Sequence, residues 1–313
     1  GLLVKAEEVL KGLHIRDAVA WSALIAGYAQ HNQGNEALMC FAEMRREGLY
    51  PNEVTFTCIL KVCTNIGALE KGKNVHDEIS SGGFLVKNIV LGTALVDMYA
   101  KCGMLEKAQL VLHQLPIRDA VSWNALITGY YQNERFYEAL DCFEQMQKEG
   151  LPPNEVTFAC ILKVFGSIQA IDKGKEIHDM IIDRGLLVKD NMLGTALVDM
   201  YAKCGMFDKA RQILEELSAP DVVGWSALIA GYAHQGQCRE ALNCFESMQR
   251  EGVNPNEITF ICILKACGNA GAIDEGEKIH EDIVRRSLLG KDTALGNALV
   301  DMYVKCGVLM KAQ

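Results

Sequence analysis

The chain has 313 residues, 50% of them apolar and 7% aromatic, with a formal net charge of −9. The apolar share supports a large core, and no apolar run approaches the roughly 18–20 residues of a membrane helix. The acidic balance excludes a general polyanion binder, so a nucleic-acid site would have to be local.

In chain order, residues 1–17 read as the tail of a unit. Over residues 18–52, Trp21, Leu24, Ile25 and Tyr28 predict one amphipathic helix, and Ala37, Leu38, Phe41 and Met44 a second. Gly34 is expected to separate the two, and Gly48 with Pro51 to end the pair. Residues 53–88 repeat the plan with Val54, Phe56, Ile59, Leu60 and Cys63, then Leu69, Val75 and Ile79; Asn52 is the N-cap candidate. Residues 89–119 make a shorter pair, opening on LGTALVDMYAKCG (91–103) and continuing over 107–115. Leu91, Leu95, Met98 and Cys102 form its apolar stripe, and Gly103 is a C-cap signal. Thr93, Asp97 and Lys101 form a polar stripe on another side.

The same thirteen letters recur at 193–205, and as LGNALVDMYVKCG at 295–307, a step of 102 residues with no insertion. Units of 35, 36 and 31 residues follow in order: 18–52, 53–88, 89–119, then 120–154, 155–190, 191–221, then 222–256, 257–292 and a truncated 293–313. That makes eight helix pairs with a fragment at each end. A pair of this size buries its apolar face only by stacking on its neighbours, so an all-α solenoid is expected, with no linker or domain break.

Chemistry is sparse. The twelve cysteines include no CxxC, so neither a zinc site nor any other metal is expected, and the thiols read as small buried side chains. His76, His178 and His280 occupy equivalent second helices, on the order of 30 Å apart, too far to share a metal or a proton. His76-Asp77-Glu78 matches H-x-E, but the P-C-x-x-C of zinc deaminases is absent. No enzyme activity and no cofactor are expected. Trp21, Trp123 and Trp225 align with Phe56, Phe158 and Phe260 and with Gly92, Gly194 and Gly296. An aromatic that alternates with glycine reads as packing between unequal units rather than a base-stacking platform. The polar stripe recurs in every unit, with Lys61, Lys163 and Lys265 in the 36-residue units and Lys101, Lys203 and Lys305 in the 31-residue units.

The segments VSWNALITGYYQNERFYEALDCFEQMQKEGLPPN (121–154), VTFACILKVFGSIQAIDKGKEIH (156–178) and LGTALVDMYAKCG resemble pentatricopeptide repeats over essentially the whole chain. The 35/36/31 alternation is similar to the plant-type PLS subclass, with P, L and S repeats; a tetratricopeptide array would keep a uniform 34-residue period. The resemblance implies a right-handed superhelical α-solenoid of helix-turn-helix repeats and single-stranded RNA as partner, about one base per repeat. It implies five base-reading pairs: Ser22 with Asn52, Thr93 with Asp119, Asn124 with Asn154, Thr195 with Asp221, and Ser226 with Asn256. A carboxylate only accepts, which suits a ring N–H of guanine or uracil; an amide can also donate, which suits adenine or cytosine. With the family's preferences at the first reader, the implied site is A-n-G-C/U-n-G-A-n. The L-repeat pairs depart from the code: Thr57/Asn88 is compatible with adenine, while Ala159/Asp190 and Ile261/Asp292 lack a polar first reader.

Two further roles are implied by position. Val19, Val54, Val90, Val121, Val156, Met192, Val223 and Ile258 would wedge between bases, the alternative being ordinary core residues; Lys101, Lys203 and Lys305 would contact phosphate. The resemblance also implies a mitochondrion or chloroplast and a targeting role in organellar C-to-U RNA editing. L repeats suggest a multiple organellar RNA-editing factor as partner, and a protein-binding scaffold is the rival reading. No transit peptide is visible in a chain that starts mid-repeat. Apolar repeat faces at both ends lead to an expectation of end-to-end self-association.

Overall fold

The computed structural model describes residues 2–13, 16–86, 88–187, 191–217, 220–289 and 293–308; Asp190 and Asp292, two of the L-repeat closing residues, lie outside them. Among the described residues the regular structure is helical throughout, with no strand. The chain divides into two compact units, Gly1–Thr157 and Phe158–Gln313.

The first unit contains α1 (Leu2–Gly12), α2 (Ala18–Gln30), α3 (Gly34–Arg46), α4 (Glu53–Asn65), α5 (Leu69–Ser81), α6 (Ile89–Lys101), α7 (Leu105–Gln114), α8 (Ala120–Gln132), α9 (Phe136–Lys148) and the first turn of α10 (Glu155–Ser167). The second unit takes the rest of α10 and continues with α11 (Ile171–Asp183), α12 (Asn191–Lys203), α13 (Phe207–Glu216), α14 (Val222–His234), α15 (Cys238–Arg250), α16 (Glu257–Ala270), α17 (Ile273–Arg285) and α18 (Thr293–Lys305). The even-numbered helices from α2 on are the first helices of the pairs. They start 35, 36 and 31 residues apart, in that order twice over. In the first unit α2, α4, α6 and α8 lie side by side; in the second, α12, α14, α16 and α18 do. Each unit is thus a stack of helix pairs whose first helices form one layer.

Caps and turns explain where the helices begin and end. Asp17, Asn52, Asn88, Asp119, Asp221 and Asn256 all sit in extended backbone as N-caps, their side chains accepting from the first turn. After α6, Gly103 has φ 76°, and Met104 N–H bonds back to the carbonyl of Tyr99 at 2.8 Å, closing a Schellman turn that favours glycine. The expected break at Gly34 is displaced. Gly34 is the first residue of α3, and Asn32, with φ 56°, makes the turn. Gly34 is small because a Cβ there would meet Ile66 Cγ2 at 2.8 Å.

The core follows the repeated positions. Trp21, Trp123, Phe56, Phe158 and Phe260 are almost fully buried. Gly92 stands at the same place because Leu115 fills it: a Cβ there would lie 2.4 Å from Leu115 Cδ2. The indole N–H groups of Trp21 and Trp123 donate to Glu47 at 3.0 Å and Glu149 at 3.2 Å. Arg16 and Arg118 pair with the same carboxylates. In the third copy Pro220 replaces the arginine, and Trp225 Nε1 is buried without a partner among the described residues. The histidines are structural in placement. His76 and His178 are buried with Nδ1 2.9 Å from the hydroxyls of Tyr99 and Tyr201, and burial lowers both imidazole pKa values. His280 is 2.8 Å from Tyr303.

Close approach of the first helices depends on small residues. A Cβ on Gly129 of α8 would lie 2.4 Å from Ala100 Cβ and 3.3 Å from Ala100 Cα on α6. Gly129→Leu is therefore expected to separate α6 from α8 and lower stability by about 1–3 kcal/mol, measured as a fall in the urea midpoint. Gly12→Ala is the reference, since no atom lies within 4 Å of its added carbon. Equal midpoints for the two variants would contradict this packing.

Candidate RNA interface

The second reader of each pair is held by its role as helix cap. Asn52 Oδ1 accepts from Thr55 N at 2.9 Å, Asn154 Oδ1 from Thr157 N at 3.0 Å, and Asn256 Oδ1 from Thr259 N at 2.9 Å. A backbone N–H cannot rotate away, so the amide oxygen is turned inward and Nδ2 is left on the outer side. Asp119 Oδ1 accepts from Ser122 N at 2.8 Å, and Asp221 Oδ1 from Val223 N at 3.1 Å and Gly224 N at 2.9 Å. Their second carboxylate oxygens make no hydrogen bond among the described residues. One outward donor for each asparagine and one outward acceptor for each aspartate is the chemical content of the row.

The first readers lie behind it. Ser22, Asn124, Ser226 and Thr195 are 4%, 6%, 7% and 9% exposed. Ser22 Oγ donates to Ala18 O at 2.5 Å and lies 3.3 Å from Asn52 Oδ1. Asn124 Nδ2 donates to Asn154 Oδ1 at 3.0 Å, and Thr195 Oγ1 approaches Asp221 Oδ1 at 3.4 Å. Ser226 reaches Asn256 only through Thr259, whose hydroxyl is 2.7 Å from Ser226 Oγ. Thr93 is half-buried and shares a groove with Asp119. A ligand arriving at these pairs therefore meets the second reader's outer atom first. The equivalent residues of the 36-residue units divide likewise: Ala159 is buried, whereas Thr57 is half-buried and donates to Glu53 O at 2.8 Å.

The eight aliphatic positions are surface residues and not core. Val19, Val54, Val90, Val121, Val156, Met192, Val223 and Ile258 are 39–67% exposed. Each is the second residue of its helix, where the helical turn points it outward beside the cap. In the first unit an open groove of about 590 Å3 collects Val90, Val121 and Val156 with Thr93, Asp119 and Asn124; Lys61 and Lys101 are also on its lining. Its size is in the range of small-molecule sites. In the second unit a groove of about 460 Å3 lies over the C-terminal ends of α10, α12 and α14, with Ser167, Asp199, Lys203 and His234 on its lining.

The lysines differ in a way the spacing alone does not show. Lys101, Lys203 and Lys305 each form an ion pair with the aspartate one turn earlier, Asp97, Asp199 and Asp301, at 2.9, 2.8 and 2.7 Å. Such exposed i,i+4 pairs are weak, yet they cancel the local charge. Lys61, Lys163 and Lys265 are exposed and make no ion pair among the described residues. The sequence reading put these three on the polar stripe but kept the phosphate role for the paired lysines, and it gave no role to the threonines that follow Asn52, Asn154 and Asn256.

Because Asn154 both caps α10 and holds buried Asn124, its removal leaves two groups unsatisfied. Asn154→Ala is expected to cost about 2 kcal/mol, the upper end for a cap. Asn88, which accepts only from Val90 N and Leu91 N at 2.9 and 3.2 Å, should cost about half as much. Denaturant unfolding of the two alanine variants measures the difference, and equal losses would contradict the shared network.

Comparison with known proteins agrees over the same segments. The model of the PPR repeat family matches residues 16–65, 118–167 and 220–288, and that of the PPR repeat matches 93–118 and 195–219. A mitochondrial pentatricopeptide repeat-containing protein of Arabidopsis thaliana is 34% identical over 98% of this chain and 44% of its own. A chloroplastic one from the same plant is 32% identical over 98% of this chain and 49% of its own. The chain spans about half or less of the length of these relatives. Among solved structures, the pentatricopeptide repeat protein PPR10 in complex with an 18-nt psaJ RNA element superposes with a TM-score of 0.77, at 22% identity, over 99% of this chain and 46% of that one.

Proposed function

The chain belongs to the pentatricopeptide repeat family, and on that premise we propose that it is a sequence-specific single-stranded RNA-binding array with no catalytic step of its own. The observation that carries the reading is the row of capped second readers. Asn52, Asn154 and Asn256 turn Nδ2 outward, while Asp119 and Asp221 turn a carboxylate oxygen outward. A base with a ring-nitrogen acceptor fits the former and a base with a ring N–H fits the latter. Combined with the first readers, the site is A-n-G-C/U-n-G-A-n, with L repeats unassigned. The exposed aliphatic residues beside each cap would separate successive bases. PPR10, of the same fold, is known in complex with RNA.

The division into P, L and S repeats at 18–52, 53–88, 89–119 and onward is part of the same proposal. So is membership of the PLS subclass. Its place would be a mitochondrion or chloroplast, as for the relatives, and its task the targeting part of a C-to-U editing factor. A multiple organellar RNA-editing factor would be the protein partner at the L repeats.

Two measurements test the RNA reading. Asp119→Asn exchanges an outward acceptor for an outward donor while keeping shape. With Thr93 unchanged, the preferred base at the third position should move from guanine to adenine, by about 1–3 kcal/mol if a base contact here matches one in duplex readout. Binding of four RNAs differing only at that position, to parent and variant, reads it out. Identical rankings would remove Asp119 as a reader. Failure of the parent to rank any position, alongside tight binding of an editing-factor partner, would favour the scaffold.

The second measurement concerns phosphate. In a chain of net charge −9, the unpaired Lys61, Lys163 and Lys265 are the cations most available on this face, with Lys101, Lys203 and Lys305 already partnered. Replacing the first three by alanine should weaken all RNAs about equally. The slope of log K against log salt should flatten by about 2, at roughly 0.7 per phosphate contact on a single strand. An unchanged slope would mean that the phosphates run elsewhere.

A further inference from the structure

Three second readers are asparagines, and each is followed three residues later by a threonine. Thr55, Thr157 and Thr259 are fully buried, at 0% exposure. Their hydroxyls lie 2.9, 3.0 and 2.9 Å from Oδ1 of Asn52, Asn154 and Asn256. The same hydroxyls lie 2.6, 2.8 and 2.7 Å from Ser22 Oγ, Asn124 Oδ1 and Ser226 Oγ. Each threonine also accepts from the backbone N–H of its asparagine, at 3.2–3.3 Å. The threonine is thus the one side chain that touches both readers of its pair.

The two aspartate readers are built differently. Ser122 donates its hydroxyl to the backbone carbonyl of Asp119 at 2.8 Å, away from the carboxylate, and Gly224 has no side chain to offer Asp221. The difference has a chemical reason. The two oxygens of a carboxylate are alike, so rotation about χ2 always presents an acceptor. The two ends of an amide are unlike, and a half-turn exchanges a donor for an acceptor and with it the base that fits. An asparagine reader needs something to hold its flip state; an aspartate reader does not. The backbone N–H supplies one donor to Oδ1, and the threonine hydroxyl is placed to supply a second: Thr259 can donate to Asn256 while accepting from Ser226, Thr157 divides its one proton between Asn124 and Asn154, and at Thr55 the same proton is shared with Ser22. A flipped amide would aim N–H groups at a backbone N–H that cannot accept, and would take from Oδ1 the hydroxyl proton it now receives.

We propose that Thr55, Thr157 and Thr259 are a third specificity-determining position. They hold the asparagine amide with Nδ2 outward and couple the first reader to the second. They are positioning residues, and the inference rests on the RNA reading above. Asn88 illustrates the alternative: the residue at the equivalent place is Leu91, so its amide is held by backbone N–H groups alone.

The test uses the full chain and RNAs of the site A-n-G-C-n-G-A-n, with A or G at the first, third and seventh positions in turn. Thr259→Val removes the hydroxyl beside Asn256 and keeps the shape. The preference for A over G at the seventh position should fall by about three- to tenfold, the worth of one hydrogen bond. Preferences at the first and third should change by less than about twofold, as expected of distant sites. Thr259→Ser should restore the parent ratio. A purely structural threonine would lower affinity for every RNA alike and leave the seventh-position ratio unchanged, and that outcome overturns the proposal. If Thr259→Val does not fold, as judged by loss of the helical melt, Thr259→Cys, whose thiol is a weak donor, is read against the same ratios. A parent chain that ranks no position overturns the RNA reading and the proposal together. A parent that ranks all three, with the seventh ratio unmoved in the variant, overturns the threonine assignment alone.

Discussion

The N-cap hydrogen bond is the interaction on which the candidate site depends. Asn52, Asp119, Asn154, Asp221 and Asn256 each cap the first helix that follows, and a rigid backbone N–H holds one side-chain polar atom of each. The remaining atom faces outward by default. Whether that atom donates or accepts then follows from the choice of asparagine or aspartate, provided the asparagine amide is held in one flip state. In the proposed site, helix initiation and recognition would share one side chain. A reader held this way is ordered before a ligand arrives, which spares the entropy of ordering it on binding.

Packing places the caps in a row. First helices of thirteen or fourteen residues lie side by side within each unit, and their approach is set by small residues: Gly129 against Ala100 in one unit, Gly231 against Ala202 in the other. Aromatic bulk at Trp21, Phe56 and their counterparts is balanced by Gly92 and Gly194, with Leu115 and Leu217 filling the space. Because the caps begin these helices, the residue after the first, valine in six of eight repeats, falls on the open surface beside each reader. A β-branched side chain with one stiff χ1 suits a wedge that has to keep its direction.

Much of this was legible in the sequence, and the misses have identifiable causes. The recurrence of LGTALVDMYAKCG and the stripe Leu91, Leu95, Met98, Cys102 sufficed for helix pairs and their order. Asn52 was recognisable as a cap because it precedes a helical stripe. Gly34 was misread as a separator, since a glycine reserved for close packing against Ile66 looks the same in sequence as one reserved for a turn. The outward direction of Val19 and its counterparts could not be read, because apolar residues at a helix start serve a core equally well. The Asp97–Lys101 pair was visible as an i,i+4 spacing, but a lysine was weighed there without its partner. The threonine three residues after each asparagine had a signal in the capping-box spacing. Its contact with Ser22, Asn124 or Ser226, more than thirty residues away in the chain, had none. Trp225 Nε1, buried without a partner among the described residues where Trp21 and Trp123 donate to a glutamate, shows that identical core positions can differ in one hydrogen bond.

The most direct test of capped side chains as readers is selection of bound sequences from a random pool of single-stranded RNA by the unmodified chain. Enrichment of A-n-G-C/U-n-G-A-n is predicted, with guanine at the two aspartate positions, adenine at the two Ser/Asn positions and no strong choice opposite the L repeats. A selected motif that places adenine opposite Asp119 and Asp221, or a bound pool with no motif, would contradict it.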